Sequence, residues 1–129
     1  MSAITYVTPA LRFNDDLSAA LYRCGYDSHI DSLHQDHSKD DQWCLHLTVV
    51  PHTLTGKCAR IALNLDNIAE NGRTARVELD HLKLEPRDSR KVCDLLRSKI
   101  EERTFEERIY ATNVAYIVTN VLDEAGISD

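Results

Sequence analysis

The stretch from Trp43 to Leu84 constrains the fold most, because apolar and polar residues alternate in three separate runs within and around it. The runs cover residues 42–50, 57–65 and 75–84. Successive side chains of a β-strand point to opposite faces, so each run predicts a strand with one buried face. We therefore expect a three-stranded antiparallel sheet as the scaffold, since turn residues separate the runs.

The third run changes phase in its middle, and the change affects where its polar residues point. Val77 and Leu79 share one parity along the run, whereas Leu82 and Leu84 have the other. One extra residue in the strand restores the inward direction of the later leucines. The pattern therefore predicts a β-bulge near Asp80-His81. With this bulge, the non-core face of the sheet would carry two pairs of polar side chains, His46 and Thr48 on the first run and His81 and Lys83 on the third.

An N-terminal helix is expected between Asn14, as its N-cap, and Gly25, just past its end. Apolar residues recur between them at helical spacing. The preceding residues Ala3–Thr8 form a short β-prone run that Pro9 ends.

Two C-terminal helices are expected after the sheet. The first begins at Pro86 and ends near Arg103, and Thr104 and Glu107 then form the capping-box pattern of the second. The second helix is rich in β-branched residues, so a strand over residues 113–121 is an alternative for its central part.

These elements predict one α+β domain over residues 1–129. We expect the N-terminal helix and the two C-terminal helices to pack on the apolar face of the three-stranded antiparallel sheet. A chain of 129 residues is long enough to bury the core of a single domain.

Charge and hydropathy exclude several classes of partner. The net charge of −6 and the lack of a basic stripe disfavour nucleic acid. No apolar run is long enough to cross a membrane, and the N-terminus lacks the pattern of a signal peptide. We therefore predict a cytoplasmic protein without membrane contact, whose four cysteines are buried thiols rather than disulfides.

Two similar histidine patterns suggest chemistry. His46-Leu47-Thr48 resembles the H-x-T signature of two-histidine phosphoesterases, in which two such motifs on a concave sheet place paired imidazoles around a phosphodiester. By this resemblance, His46 and His81 would act as base and acid, while Thr48 and Lys83 hold phosphate oxygens. The chain differs from the signature at Lys83, where a hydroxyl residue is expected, and in the 34 residues that separate the two histidines.

A second alternative is a zinc-stabilised interaction domain. Six residues of suitable ligand types lie within a short stretch, but their spacing matches no closed structural zinc site that we can name, so no metal ligand and no cofactor is assigned. The six residues are Cys24, His29, His34, His37, Cys44 and His46.

The segment Tyr26–Gln42 has no apolar period and is expected to be a long, acidic surface loop. With the absence of a catalytic signature, it favours a small acidic protein-binding domain: an inhibitor, an adaptor or a chaperone-like protein. Another protein and a second copy of the chain are then the expected partners. Small acidic domains of this character are familiar among phage-encoded and mobile-element proteins, an association of size and character alone. The predicted binding residues are Asp27, Asp31, Asp36, Asp40 and Asp41.

Overall fold

The fold is α+β, as predicted, with three helices and a four-stranded antiparallel sheet in the part of the chain that the computed structural model describes. That part comprises residues 2–35, 42–66, 68–69, 71–74, 76–85, 90–103 and 109–128. The elements follow in the order α1 Ser2–Arg23, β1 Tyr26–Gln35, β2 Gln42–Pro51, β3 Cys58–Asp66, β4 Arg76–Glu85, α2 Arg90–Arg103 and α3 Ala111–Glu124.

The sheet has the strand order β1-β2-β3-β4, and each pair of neighbours is antiparallel. The prediction of three strands was wrong in one respect, because Tyr26–Gln35 is a strand and not a loop. Its inward side carries Ser28 as well as Tyr26 and Ile30, so its alternation is weak in the sequence. An edge strand needs only part of one face buried, which explains why a mostly polar sequence forms it.

The helices pack on one face of the sheet, as predicted, and the apolar core lies between the two layers. Leu45, Leu47 and Val49 of β2 are at most 2% exposed and face the core. The core continues into α1 through Leu17 and into α3 through Val118. The opposite face of the sheet carries polar side chains that alternate with these core residues.

Each of the two edge strands, β1 and β4, contains one β-bulge. In β4, Ala62 of β3 pairs with His81 and Leu63 pairs with Leu79, so Asp80 is the extra residue. This confirms the bulge predicted at Asp80-His81. In β1, the register shifts between Ile30 and Ser32, and the extra residue there is Asp31.

The bulge in β4 is contacted from the helical layer. Arg97 of α2 donates from Nε to the carbonyl oxygen of Leu79 and from Nη2 to that of Asp80, both at 3.4 Å. A bulge leaves backbone groups without their ladder partners, and Arg97 supplies donors at that place.

The N-terminal predictions need correction. Ala3–Thr8 belongs to α1 and not to a strand, and Pro9 lies inside the helix instead of ending an extended arm. Asn14 is an interior residue that is 8% exposed and does not cap a helix. The reason is that Ala10 and Phe13, both fully buried, extend the core-facing stripe of α1 toward the N-terminus.

The C-terminal region is helical, so the alternative strand over residues 113–121 was wrong. The β-branched residues of α3 are held by burial, since Val114, Val118 and Val121 are at most 2% exposed. The helix α3 begins at Ala111, after a bridge between Ile109 and Thr74. The predicted capping box at 104–107 and the predicted start of α2 at 86–89 lie outside the described residues.

The described helices and thiols bear on the remaining sequence predictions. None of the helices in the described ranges is long and apolar enough to cross a membrane. Cys24, Cys44, Cys58 and Cys93 all lie among the described residues and form no disulfide with one another, and each is half-buried and not buried as predicted.

Candidate functional site

We call the sheet face turned away from the helices the polar face, and its centre is a row of four side chains across all four strands. Ser32 of β1 pairs with His46 of β2, His46 pairs with Ala62 of β3, and Ala62 pairs with His81 of β4. We call Ser32, His46, Ala62 and His81 the histidine row. The two bulges, at Asp31 and Asp80, lie beside its two ends.

The two imidazole rings of the histidine row converge although their strands are not neighbours. The ring centroids of His46 and His81 are 6.5 Å apart, and the ring planes meet at 64°, in an edge-to-face arrangement. The sequence predicted that these rings share one face, and the register and ring distance confirm it. His46 is half-buried and His81 is exposed, so both rings are accessible from the polar face.

A third imidazole extends the group toward the edge of the sheet. The ring of His34 stacks on that of His46, with centroids 5.8 Å apart and planes at 25°. His34 pairs in register with Cys44, so it reaches His46 diagonally.

A hollow of about 310 Å³ opens on the polar face beside the histidine row. Leu47 and Ile61 line it, and because their side chains are buried in the core, their backbone forms its floor. The polar side chains that line the hollow are Asp31, Ser32, His46, Arg60, His81 and Lys83. We call this space the histidine hollow.

Two cations on one side of the histidine hollow share a single carboxylate. Arg60 Nε lies 3.4 Å from Glu85 Oε1, and Lys83 Nζ lies 4.0 Å from the same oxygen. Glu85 does not line the hollow, whereas both cations do. One carboxylate balances only one of the two positive charges, so this side of the hollow favours an anion. The side chains of Arg60 and Lys83 are more than half exposed, so water screens both pairs.

Asp31 and Thr48 form a separate contact at the other side of the hollow. Thr48 Oγ1 donates a hydrogen bond to Asp31 Oδ2 at 2.6 Å, and His29 Nε2 lies 3.5 Å from Asp31 Oδ1. Thr48 is on the polar face, as expected, but it is not among the residues that line the hollow. The hydroxyl group that lines the hollow belongs to Ser32.

Cys58 is the residue at the margin of this site whose pKa departs clearly from its usual value. Burial raises the pKa of its thiol, and the carboxylate of Glu85 raises it further, whereas Arg60 acts in the opposite direction. Cys58 Sγ lies 3.9 Å from Glu85 Oε2, which fits a protonated thiol that donates to the carboxylate. The thiol is therefore a weak nucleophile at neutral pH.

The acidic residues predicted to bind a partner divide into two groups. Asp27 and Asp31 are exposed residues of β1, at the edge of the sheet. Asp36, Asp40 and Asp41 lie outside the described residues. Asp27 Oδ1 lies 3.4 Å from His52 Nε2, so this strand contacts the turn after β2.

The candidate zinc ligands are distributed over the first two strands and the end of α1. His34, Cys44 and His46 lie on the polar face of neighbouring strands, whereas His37 is outside the described residues. Among the residues that the structure describes, no group of three or more histidine, cysteine, aspartate or glutamate side chains is arranged to hold a metal ion.

A second hollow, of about 360 Å³, lies where α1, the turn at Gly72 and the start of α3 meet. Arg23 and Arg73 line it, and the guanidinium of Arg73 lies 4.2 Å from the centre of the Tyr110 ring. Arg73 is thus held by a cation–π contact, which fixes the wall of this hollow.

Three residues of the site were not assigned to it from the sequence. Ser32 was missed because β1 was taken for a loop. Arg60 was missed because its position next to Lys83 depends on the strand order. Ala62 carries no chemical signal of its own, and only its register between the two histidines reveals its position.

Comparison with protein-family models, with curated proteins and with solved structures finds no match to this chain.

Proposed function

We propose that the histidine hollow binds a small phosphate-bearing ligand and that His46 and His81 act on it as a general acid–base pair. The observation that carries the proposal is the convergence of these two rings to 6.5 Å from strands that are not neighbours. Hydrolysis of a phosphoester needs one group to take a proton from the attacking hydroxyl or water and another to give a proton to the leaving oxygen. Two imidazoles that reach one bound phosphate meet that need, and such a pair contributes about 10²–10⁴-fold in rate.

The charges around the pair support a phosphate as the ligand. Arg60 and Lys83 line one side of the hollow and share one carboxylate, whereas Asp31 lines the other side, so the positive charge that favours a phosphate is local to Arg60 and Lys83. The hydroxyl of Ser32 supplies a further donor at the other end of the histidine row. In this proposal, Ser32 takes the role that the resemblance to two-histidine phosphoesterases gave to Thr48.

The size of the hollow and the charge of the whole chain limit the ligand. A volume of about 310 Å³ is near the lower limit for small-molecule sites. The net charge of −6 repels a long polyanion. The proposed ligand is therefore a small phosphomonoester or phosphodiester and not a nucleic-acid chain.

The test is turnover of diphenyl phosphate, whose phenolate leaving oxygen is basic enough to need a proton, by the wild-type protein and by three variants. His46→Gln and His81→Gln each remove one ring of the pair, and we expect each to lower kcat by about 10²-fold or more. His52→Gln is the matched control, since His52 is exposed and contacts Asp27 and Tyr22 instead of the hollow. Turnover that survives in both hollow variants would refute the catalytic part of the proposal.

A second candidate function is binding of another protein, which the sequence predicted through an acidic loop and which we place along β1 instead. The observation that favours it is that β1 is an edge strand that carries two exposed carboxylates, Asp27 and Asp31. An edge strand presents backbone donors and acceptors to an added strand, and acidic side chains favour a basic partner segment. A homodimer and a cytoplasmic location remain predictions.

A pull-down from the native host tests this second function with matched baits. Asp27→Lys reverses a charge on β1, and Asp15→Lys makes the same change on the exposed side of α1. We expect a protein that the wild-type chain and Asp15→Lys capture and that Asp27→Lys does not. Equal capture by all three baits would exclude β1 as the binding edge, and light scattering at micromolar concentration reports the dimer separately.

A further inference from the structure

The two rings of the histidine row lean toward each other across an intervening strand. Neighbouring strands lie about 4.8 Å apart, so the backbones of His46 and His81 are about 9.6 Å apart across β3. Their ring centroids are 6.5 Å apart. The rings have therefore closed a gap of about 3 Å above the residue of β3 that lies between them.

The residue between them is Ala62, and its burial shows that something covers it from the polar face. Ala62 is 1% exposed, yet it does not belong to the contiguous apolar core of the described residues. Its neighbours on the same face of β3, Arg60 and Asn64, are exposed and half-buried. Its partners in the two adjacent strands are His46 and His81, so the two rings are its cover.

The size of the side chain at this position limits how closely the rings can approach. A methyl group leaves the space above β3 open, whereas a β-branched side chain would occupy the space into which both rings lean. The strand itself tolerates a β-branched residue, because such residues favour strands. His81 is exposed, so its ring can move outward into water rather than strain the core.

We infer that Ala62 is the positioning residue of the imidazole pair: its small side chain sets the distance between the rings of His46 and His81. The inference rests on the proposed function only in its catalytic consequence, because the ring distance itself can be measured without a ligand. For catalysis, a displacement of about 1 Å in such a pair costs about 10²-fold in rate.

The experiment compares Ala62→Val with Ala62→Ser and with a matched control on the same strand. Cys58→Val places the same valine on the same face of β3, away from the histidine row. The first readout is the nuclear Overhauser cross-peak between the ring protons of His46 and His81, and circular dichroism reports the fold. We expect the cross-peak in the wild-type protein, in Ala62→Ser and in Cys58→Val, and its loss in folded Ala62→Val.

The second readout is the turnover of diphenyl phosphate by the same proteins. We expect Ala62→Val to lower kcat by about 10²-fold and to leave KM nearly unchanged. The ligand is bound by Arg60 and Lys83, which the substitution leaves in place. Ala62→Ser should keep kcat within the range of the wild-type protein, because the serine side chain is nearly as small as that of alanine.

The outcomes separate the two claims. A cross-peak that persists in Ala62→Val overturns the inference, whatever the activity. Loss of the cross-peak in Ala62→Val, with no turnover by the wild-type protein, supports the positioning role and refutes the catalytic function. If Ala62→Val does not fold, Ala62→Thr gives the same bulk with a polar tip. If Ala62→Val and Ala62→Thr both fail to fold, the inference is overturned. The groups that cover Ala62 would then be unable to move aside, unlike two partly exposed rings.

Discussion

Removal of Asp80 from β4 should leave the fold nearly intact, whereas removal of Glu78, two positions earlier, should destabilise it strongly. Without Asp80, the alternation becomes regular: Leu79 points inward, His81 outward and Leu82 inward, as they do with the bulge. The loss is then the contact of Arg97 with the carbonyl of Asp80, about 1 kcal/mol.

Removal of Glu78 keeps the chain length of the first deletion but breaks the pattern. Asp80 then takes the inward position of Leu79, and Leu79, now 1% exposed, turns toward water. Exposure of the leucine costs about 1.5–3 kcal/mol, and burial of an unpaired carboxyl group costs several kcal/mol more, so we expect a loss of at least about 4 kcal/mol. A shift of the preceding residues by one position would return Leu79 to its inward position. It would, however, turn the buried Val77 outward instead.

Urea unfolding followed by circular dichroism measures both free energies of unfolding by linear extrapolation. The two deletions remove one acidic residue each from the same strand, so net charge and chain length are matched. Equal destabilisation by the two deletions would refute the bulge as the device that turns His81 toward the polar face.

Three further predictions concern the core, one turn and one thiol. Leu65→Ala, at a fully buried position of β3, should lower the free energy of unfolding by about 2–5 kcal/mol in the same urea assay. Gly72→Ala should lower the free energy of unfolding more than Gly56→Ala. Both glycines have positive φ, but only at Gly72 would a Cβ meet neighbouring atoms, at 3.2 Å and 3.3 Å. Equal losses of stability in the two variants would contradict the packing at Gly72. Alkylation of Cys58 by iodoacetamide should be slow at pH 8, because burial and then Glu85 raise the pKa of the thiol. Glu85→Gln should lower that pKa and speed alkylation. An unchanged alkylation rate would exclude the effect of the carboxylate on the thiol.

The sequence predicted three of the four strands because their alternation is strong. It predicted the bulge because Leu79 and Leu82 have opposite parity. It missed β1 because the bulge at Asp31 breaks the alternation and because Ser28 takes an inward position. It placed the start of α1 too late because Pro9 was taken as the end of an extended segment. Burial of the residues after Pro9, Ala10 and Phe13, favours a helix that includes Pro9.

The site was predictable only in part, for a similar reason. Parity along two strands was sufficient to place His46 and His81 on one face. The distance between their rings depends on strand order and on the small side chain of Ala62, neither of which leaves a local pattern. The contribution of Ser32 depends on β1, so it could not be predicted once that strand was taken for a loop.

Titration with inorganic phosphate determines whether the histidine hollow holds a phosphate between His46 and His81. The measurement is the movement of assigned histidine ring signals in carbon–proton correlation spectra at constant pH and ionic strength. We expect the signals of His46 and His81 to move together and saturate, while that of His52 stays in place. Signals that do not move, or that move equally at all three histidines, would exclude phosphate binding in the histidine hollow.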